Sequence, residues 1–199
     1  MNVIGDKNMT RLMIVIASTR PGRVGLPVGL WFDARARARG DFNVDLADLA
    51  EINLPFMDEP NHPRLQKYTK QHTKEWSARV AAAEAFVFVT PEYNYGLCAP
   101  LKNAIDFLHN EWHYKPFGFV SYGGVSAGTR AVQMTKQVLS PLRMFATSEA
   151  VSIPFVSQFI DDEERLEPNE LMNQAADAML DELARVSDAL TTLRGGDAV

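Results

Sequence analysis

The chain has 199 residues, of which 46% are hydrophobic and 23% are charged, and its formal net charge is −5 at pH 7. This size and composition predict a globular protein with one sizeable domain, and the acidic balance disfavours nucleic acid and anionic membranes as partners. No apolar run approaches the ~20 residues that span a bilayer. The single cysteine, Cys98, excludes an internal disulfide and predicts a cytoplasmic protein. The four histidines lack the spacing of metal ligands, so we expect no metal site.

Residues 1–10 are polar and without the apolar core of a signal peptide, which predicts a flexible lead followed by one domain over residues 11–194. Strand-like and helix-like segments then alternate. The predicted strands are residues 12–17, 42–49, 85–89, 117–121 and 150–153. The predicted helices are residues 24–39, 68–83, 101–108, 129–145 and 168–193, the last ended by Gly195 and Gly196. The proline-rich segment 53–63, between the second predicted strand and the second predicted helix, is predicted to be irregular.

This alternation predicts a doubly wound α/β fold, in which a five-stranded parallel sheet has helices on both faces. In such sheets a ligand binds beyond the carboxyl ends of the strands, where the strand order reverses. The loops after the first, third and fourth predicted strands have unusual sequences. We therefore expect the functional site to lie where these three loops meet.

The first loop has the sequence Ser-Thr-Arg-Pro-Gly-Arg at residues 18–23, between a buried strand and a helix. The N–H groups and the positive dipole end of a helix start attract anions, and hydroxyl and guanidinium groups add donors suited to a phosphate monoester. The loop matches neither the Rossmann nor the P-loop fingerprint. A helix N-cap beside a surface arginine would explain the same residues, but the two further loops favour phosphate binding.

The third predicted strand leads into the string P-E-Y-N-x-G-x-x-x-P-L-K-N-A-I-D at residues 91–106, and the fourth leads into S-Y-G-G-V-S-A-G at residues 121–128. Together with the first loop, these motifs resemble the NADPH-dependent FMN reductase family, which has a flavodoxin-like fold. The resemblance covers roughly residues 12–155. It implies the strand order 2-1-3-4-5 and a single FMN-binding domain.

The resemblance also implies which residues bind FMN. Ser18, Arg20 and the backbone around Arg23 and Val24 would hold the phosphate. The other expected cofactor-binding residues are Pro91, Glu92, Tyr93, Asn94 and Tyr95 along the ring edge, and Ser121, Tyr122, Gly123 and Gly124 beside the ring and the ribityl chain. Arg23 stands where the family has a serine, so its side chain either contacts the phosphate or turns outward toward the 2′-phosphate of NADPH. Tyr93 and Tyr95 either pack the loop or line an acceptor pocket.

Local chemistry points the same way. Pro91 fixes one backbone dihedral and Gly96 permits an unusual one, so that the loop can present its N–H groups rigidly. Gly123 and Gly124 lack Cβ atoms where the backbone would approach a flat ring. Glu92 is expected to be solvated or salt-bridged, and no catalytic side chain is predicted because the flavin carries the hydride.

The sequence thus predicts an enzyme in which NADPH, or NADH, reduces FMN, and the flavin then reduces a second substrate with ping-pong kinetics. The resemblance implies a quinone, an azo compound, a metal oxyanion or free flavin as the acceptor, and a homodimer or homotetramer. Two alternatives remain. A flavodoxin-like electron carrier usually has the phosphate loop T-x-T-G-x-T, which differs from the loop here. A non-catalytic flavin-binding redox sensor is compatible with all of these motifs.

Overall fold

The computed structural model describes residues 9–194. Most of the predicted lead and the predicted helix stop at Gly195 and Gly196 lie outside the described residues, and Thr10 belongs to the first strand rather than to the lead. The strands are β1 (Thr10–Ile16), β2 (Phe42–Asp48), β3 (Ala85–Pro91), β4 (Pro116–Tyr122), β5 (Phe145–Ala146) and β6 (Val151–Ile153). The helices are α1 (Gly25–Arg39), α2 (Leu49–Ile52), α3 (Gln71–Ala82), α4 (Ala99–Asp106), α5 (Thr129–Leu139) and α6 (Glu170–Arg194).

All strand pairs in the sheet are parallel, and the predicted flavodoxin-like order β2-β1-β3-β4-β5 is confirmed. The prediction of five strands was wrong in one respect. The position beside β4 is shared by two short strands, β5 next to the start of β4 and β6 next to its end. Because the chain moves from β1 to β2 on one side and to β3 on the other, the carboxyl ends of β1 and β3 flank the point where the strand order reverses.

Two hydrophobic cores lie on opposite faces of the sheet, because successive strand residues point to opposite sides. Met13 and Val15 of β1 pack against α3, α4 and α5, whereas Leu12 and Ile14 pack against α1 and α6. Helices therefore cover both faces, which explains why the central strands read as nearly continuous apolar runs. In the described part of the chain, no helix combines the length and the apolarity needed to cross a membrane.

Several predicted helix bounds were wrong for local reasons. Helix α5 ends at Leu139 instead of residue 145, because Pro141 follows and the chain turns to enter the sheet at β5. Helix α3 begins at Gln71 instead of residue 68, since the carboxylate of Glu59 binds the N–H groups of the two preceding residues. The short helix α2 was not predicted. It begins directly after Asp48, whose carboxylate accepts a hydrogen bond from the Ala50 N–H at 3.0 Å.

Candidate functional site

The three motif-bearing loops meet at the carboxyl edge of the sheet. The hydroxyl of Ser18, in the loop after β1, lies 2.8 Å from the hydroxyl of Tyr93, in the loop after β3. Ser126, in the loop after β4, donates a hydrogen bond of 3.1 Å to Glu92. Contacts between side chains that are far apart in the sequence thus assemble one site at the place that the topology predicts.

The start of α1 is open to an anion. Within the described chain its N-cap residue, Val24, makes no side-chain capping bond, and its first turn carries no acidic residue. The N–H groups at the start of this 15-residue helix therefore keep their donor capacity and the positive end of its dipole. Arg20 is exposed in the same loop and makes no hydrogen bond or ion pair with any residue of the range 9–194. Its guanidinium group is available to an incoming anion.

The Arg23 side chain points inward. Its guanidinium group binds both carboxylate oxygens of Asp48, at the end of β2, and donates a third hydrogen bond of 2.8 Å to the carbonyl oxygen of Ser18. The side chain is only 13% exposed. Arg23 therefore does not turn outward toward the 2′-phosphate of NADPH, because its guanidinium group is bound to the Asp48 carboxylate. Arg23 instead fixes the first loop to the neighbouring strand.

Two hydroxyl groups, those of Ser18 and Tyr122, are buried close together at the first loop. Ser18 is 1% exposed, and the hydroxyl of Tyr93 covers its side chain. The Tyr122 hydroxyl is also buried and has no hydrogen-bond partner among the described residues. Burial raises the pKa of Tyr122, and the nearby Tyr93 raises it further, so the phenol stays protonated and able to donate.

The loop after β3 forms a tight turn. Tyr93 and Gly96 exchange two backbone hydrogen bonds of 2.9 and 3.1 Å, and the two residues between them, Asn94 and Tyr95, have φ angles of 50° and 66°. The positive φ angles fall at Asn94 and Tyr95 rather than at Gly96, because a turn with two left-handed central residues places them at 94 and 95. Tyr95 is 70% exposed, and the guanidinium carbon of Arg130 lies 3.9 Å from the centre of its ring.

Glu92 connects the loop after β3 with α5. Its carboxylate forms an ion pair of 2.7 Å with the Arg130 side chain and accepts hydrogen bonds from the Arg130 N–H and from Ser126. The side chain is 7% exposed. Burial by itself would raise the pKa of Glu92, but these hydrogen bonds outweigh it and the pKa is lowered. Glu92 is thus a salt-bridged carboxylate that stays ionised near neutral pH.

In the loop after β4, two glycines differ in their surroundings. A Cβ atom on Gly124 would have no atom within 4 Å, so its backbone faces open space. A Cβ atom on Gly128, which has a φ of 79°, would lie 2.9 Å from the Tyr122 carbonyl oxygen. Ser121 is fully buried, with its hydroxyl 3.5 Å from that of Ser152, so its side chain belongs to the interior rather than to the open edge.

Two cavities lie near α4. One of about 480 Å³ opens beside Thr19 and the first loop, between residues 49–56 and the start of α4. A larger cavity of about 760 Å³ is lined by residues 57–63, the rest of α4 and residues 138–142, and contains no residue of the three motif-bearing loops. We place the candidate site at the three loops, because their donors converge there.

Two other features bear on the chemistry of the protein: its single cysteine and the arrangement of possible metal ligands. Cys98 is buried with its thiol 3.5 Å from the Ala17 carbonyl oxygen, and burial raises the pKa of this thiol, which fits a small core residue. Among residues 9–194, no three His, Cys, Asp or Glu side chains are grouped so that they could hold a metal ion.

The predicted residues largely come together, but several of their partners could not be recognised from the sequence. Among them, only Asp48 carries a signal, as a carboxylate that ends a strand beside the first loop. Arg130 and Gly25 carry no such signal, because their roles depend on contacts with residues far away in the chain, namely Glu92 and Tyr122.

The donors at this edge suit FMN. The acid-free start of α1 and the exposed Arg20 would bind a phosphate monoester. The buried Tyr122 hydroxyl has no hydrogen-bond partner among the described residues, and it could gain one if the loop rearranges when a ligand binds. The open face of Gly124 leaves room for a flat ring beside the backbone.

The sheet order defines a flavodoxin-like α/β protein. The chain belongs to the NADPH-dependent FMN reductase family, whose model matches residues 10–158. The family assignment made from the motifs is thereby confirmed, and with it the prediction that the chain is an enzyme, an oxidoreductase of this family.

Known proteins support the family by their sequences and the fold by their structures. The chain is 33% identical over 155 residues to the NAD(P)H-dependent FMN reductase ntnL of Nectria sp, covering 75% of this chain and 77% of the relative. It is 37% identical over 148 residues to the NAD(P)H-dependent FMN reductase C4B3.06c of Schizosaccharomyces pombe, covering 72% and 74%. FerB, a flavoenzyme NAD(P)H:(acceptor) oxidoreductase from Paracoccus denitrificans, shares the fold with a TM-score of 0.73 at 18% identity, over 89% of this chain and 98% of that one.

Proposed function

We propose that this protein binds FMN at the loops after β1, β3 and β4 and uses NAD(P)H to reduce a small-molecule acceptor with ping-pong kinetics. Bound FMN supplies the redox chemistry, since it can take up a hydride from NAD(P)H and return two electrons to an acceptor. The observation that carries the proposal is the start of α1, which has free N–H donors and no acidic residue and lies next to the exposed Arg20.

The protein's own residues would bind and orient the cofactor. Arg20, Ser18 and the N–H groups around Arg23 and Val24 would bind the phosphate. The expected ring contacts are Pro91, Glu92, Tyr93, Asn94 and Tyr95 on one side, and Gly123 and Gly124 on the other, with Ser121 and Tyr122 contributing only their backbone. The Glu92–Arg130 ion pair supports this arrangement because it holds the loop after β3 against α5.

For the electron donor we propose NADPH in preference to NADH, and for the acceptor a quinone, an azo compound, a metal oxyanion or free flavin. A flat, conjugated acceptor is favoured by the half-exposed ring of Tyr93 and the exposed ring of Tyr95 at the edge of the site. No side chain is needed as an acid or base for the hydride step.

We further propose a cytoplasmic homodimer or homotetramer. Large apolar side chains are exposed near the site, among them Tyr95, Val125 and Phe155, and a second copy of the chain would remove them from water. Light scattering coupled to size-exclusion chromatography tests this. A protein that stays monomeric at micromolar concentration with FMN bound would contradict the oligomer.

The function itself is tested by the visible spectrum of the purified protein, before and after NADPH is added without oxygen. A yellow flavin spectrum that NADPH bleaches, together with parallel lines in double-reciprocal plots for NADPH and a quinone, is the expected result. A protein that holds FMN but does not turn over NADPH would instead be an electron carrier or a redox sensor. A protein that binds no FMN would contradict the proposal as a whole.

A further inference from the structure

The Tyr122 hydroxyl is buried at the place where β4 passes under the start of α1. A Cβ atom built on Gly25 would lie 2.3 Å from this hydroxyl oxygen and 3.5 Å from the Ser18 Cβ, so Tyr122 and Ser18 lie side by side beneath the first helical residue. Any residue larger than glycine at position 25 would displace the phenol. The packing thus leaves space for a hydroxyl group that has no hydrogen-bond partner within residues 9–194.

An unsatisfied buried hydroxyl destabilises a protein, and such groups are rare enough to require an explanation. A phenylalanine at position 122 would avoid the cost of the unsatisfied hydroxyl and would keep nearly the same shape. The nearest group that could bond to the Tyr122 hydroxyl is Ser18 of the proposed phosphate-binding loop. The Ser18 hydroxyl is itself hydrogen-bonded to the Tyr93 hydroxyl.

A serine hydroxyl can donate one hydrogen bond and accept two. Once Ser18 donates to a phosphate oxygen, it can accept from Tyr93 and from Tyr122 together, and all three hydroxyl groups are satisfied. In this structure the Ser18–Tyr93 pair can form in either direction, and the Tyr122 hydroxyl lies against Ser18 without a well-formed hydrogen bond. Each donor in such a chain polarises the next one, which strengthens the bond to the charged end.

We propose that Tyr122 is a positioning residue for the phosphate monoester of FMN: its hydroxyl donates to Ser18 and thereby directs the Ser18 hydroxyl toward the phosphate. This inference rests on the proposed function, and it assigns to Tyr122 a role at the phosphate rather than beside the ring. It predicts that the phenol hydroxyl contributes to the affinity for FMN but not to the affinity for riboflavin, which has no phosphate.

The test is the variant Tyr122→Phe, titrated with FMN and with riboflavin by flavin fluorescence. We expect the Kd for FMN to rise about tenfold, the Kd for riboflavin to stay unchanged, and the ligand-free protein to unfold at the same or a higher urea concentration. In the Ser18→Ala background, where the chain of donors is already broken, Tyr122→Phe should have no further effect on FMN.

The variant Tyr114→Phe is a matched control, because the Tyr114 hydroxyl binds Arg143 before the start of β4 and should not affect FMN. An unchanged FMN affinity in Tyr122→Phe would overturn the inference while the proposed function stands. An equal loss of FMN and riboflavin affinity would overturn it too, since it would assign Tyr122 to the ring. A wild-type protein that binds no FMN would overturn the proposed function first.

Discussion

Arg23 and Asp48 form a two-point ion pair that joins the first loop to the end of β2, 25 residues away in the sequence. Both side chains are largely buried, at 13% and 6% exposure. Asp48 also caps α2 through the Ala50 N–H. One carboxylate therefore fixes both the loop after β1 and the start of α2 after β2, so the first loop is positioned by a residue outside the candidate site.

Replacing Asp48 by Asn should leave the Arg23 charge buried without its partner while preserving the cap on α2. We expect the free energy of unfolding to fall by about 2–4 kcal/mol, and the affinity for FMN to fall with it. Urea unfolding of the ligand-free protein measures the first effect. Asp106→Asn is the control, since its pair with Lys102 is about half exposed on the surface of α4 and should contribute at most about 0.5 kcal/mol. Equal losses in the two variants would contradict a special role for Asp48.

Replacing Arg20 by Ala should weaken FMN binding without affecting the fold. Arg20 is exposed and makes no hydrogen bond or ion pair with another described residue, so we expect the free energy of unfolding to change by less than about 0.5 kcal/mol. A lost charge-assisted bond to the phosphate should raise the Kd for FMN about 10- to 100-fold. Titration with riboflavin is the control and should give the wild-type Kd. If Arg20→Ala bound FMN normally, the phosphate would have to lie elsewhere.

The glycines of the loop after β4 should separate binding from stability. Gly124→Ala places a Cβ atom in open space, so the unfolding midpoint should not change, whereas the Kd for FMN should rise about tenfold if the ring lies there. Gly128→Ala forces a Cβ atom against the Tyr122 backbone at a φ of 79°, and we expect about 2–3 kcal/mol of destabilisation. Unfolding and FMN titration of both variants give the comparison. A Gly124→Ala protein with normal FMN affinity would place the ring away from this face.

The Glu92–Arg130 pair should produce a pH-dependent contribution to stability. The folded protein holds the pKa of Glu92 below its ordinary value of 4.5, so the contribution is present above that value and is lost as the pH falls through the folded pKa. Glu92→Gln should therefore unfold more easily than wild type near neutral pH, by about 1–2 kcal/mol, and the difference should shrink in acid.

Urea unfolding of Glu92→Gln and wild type at several pH values measures this difference. Glu182→Gln is the matched control, because Glu182 pairs with the exposed Arg185 on the surface of α6 and should show little effect at any pH. A Glu92→Gln difference that persisted unchanged below the ordinary pKa would mean that the carboxylate acts through its shape rather than its charge.

Much of the fold follows from local sequence patterns. The apolar runs that became β1, β3 and β4 and the turns between them predict a parallel α/β sheet, because strands covered by helices on both faces must be apolar on both faces. The motif strings identified the family. The strand predicted at residues 150–153 is β6, but β5 could not be read in the same way, since a segment of two residues is too short to show a periodicity.

Within the site, the sequence by itself determined which loops carry the donors: Ser18 and Arg20 after β1, the Pro91–Tyr95 segment after β3, and the paired glycines after β4. The tertiary structure decided what each side chain does there. Arg23 turns inward because Asp48 lies beside it, Glu92 binds Arg130 across 38 residues, and Tyr122 reaches the first loop because Gly25 leaves it space. Backbone preference and apolar pattern are local properties of the chain. The partner of a charge or a hydroxyl depends on which distant segments folding brings within 3 Å of it.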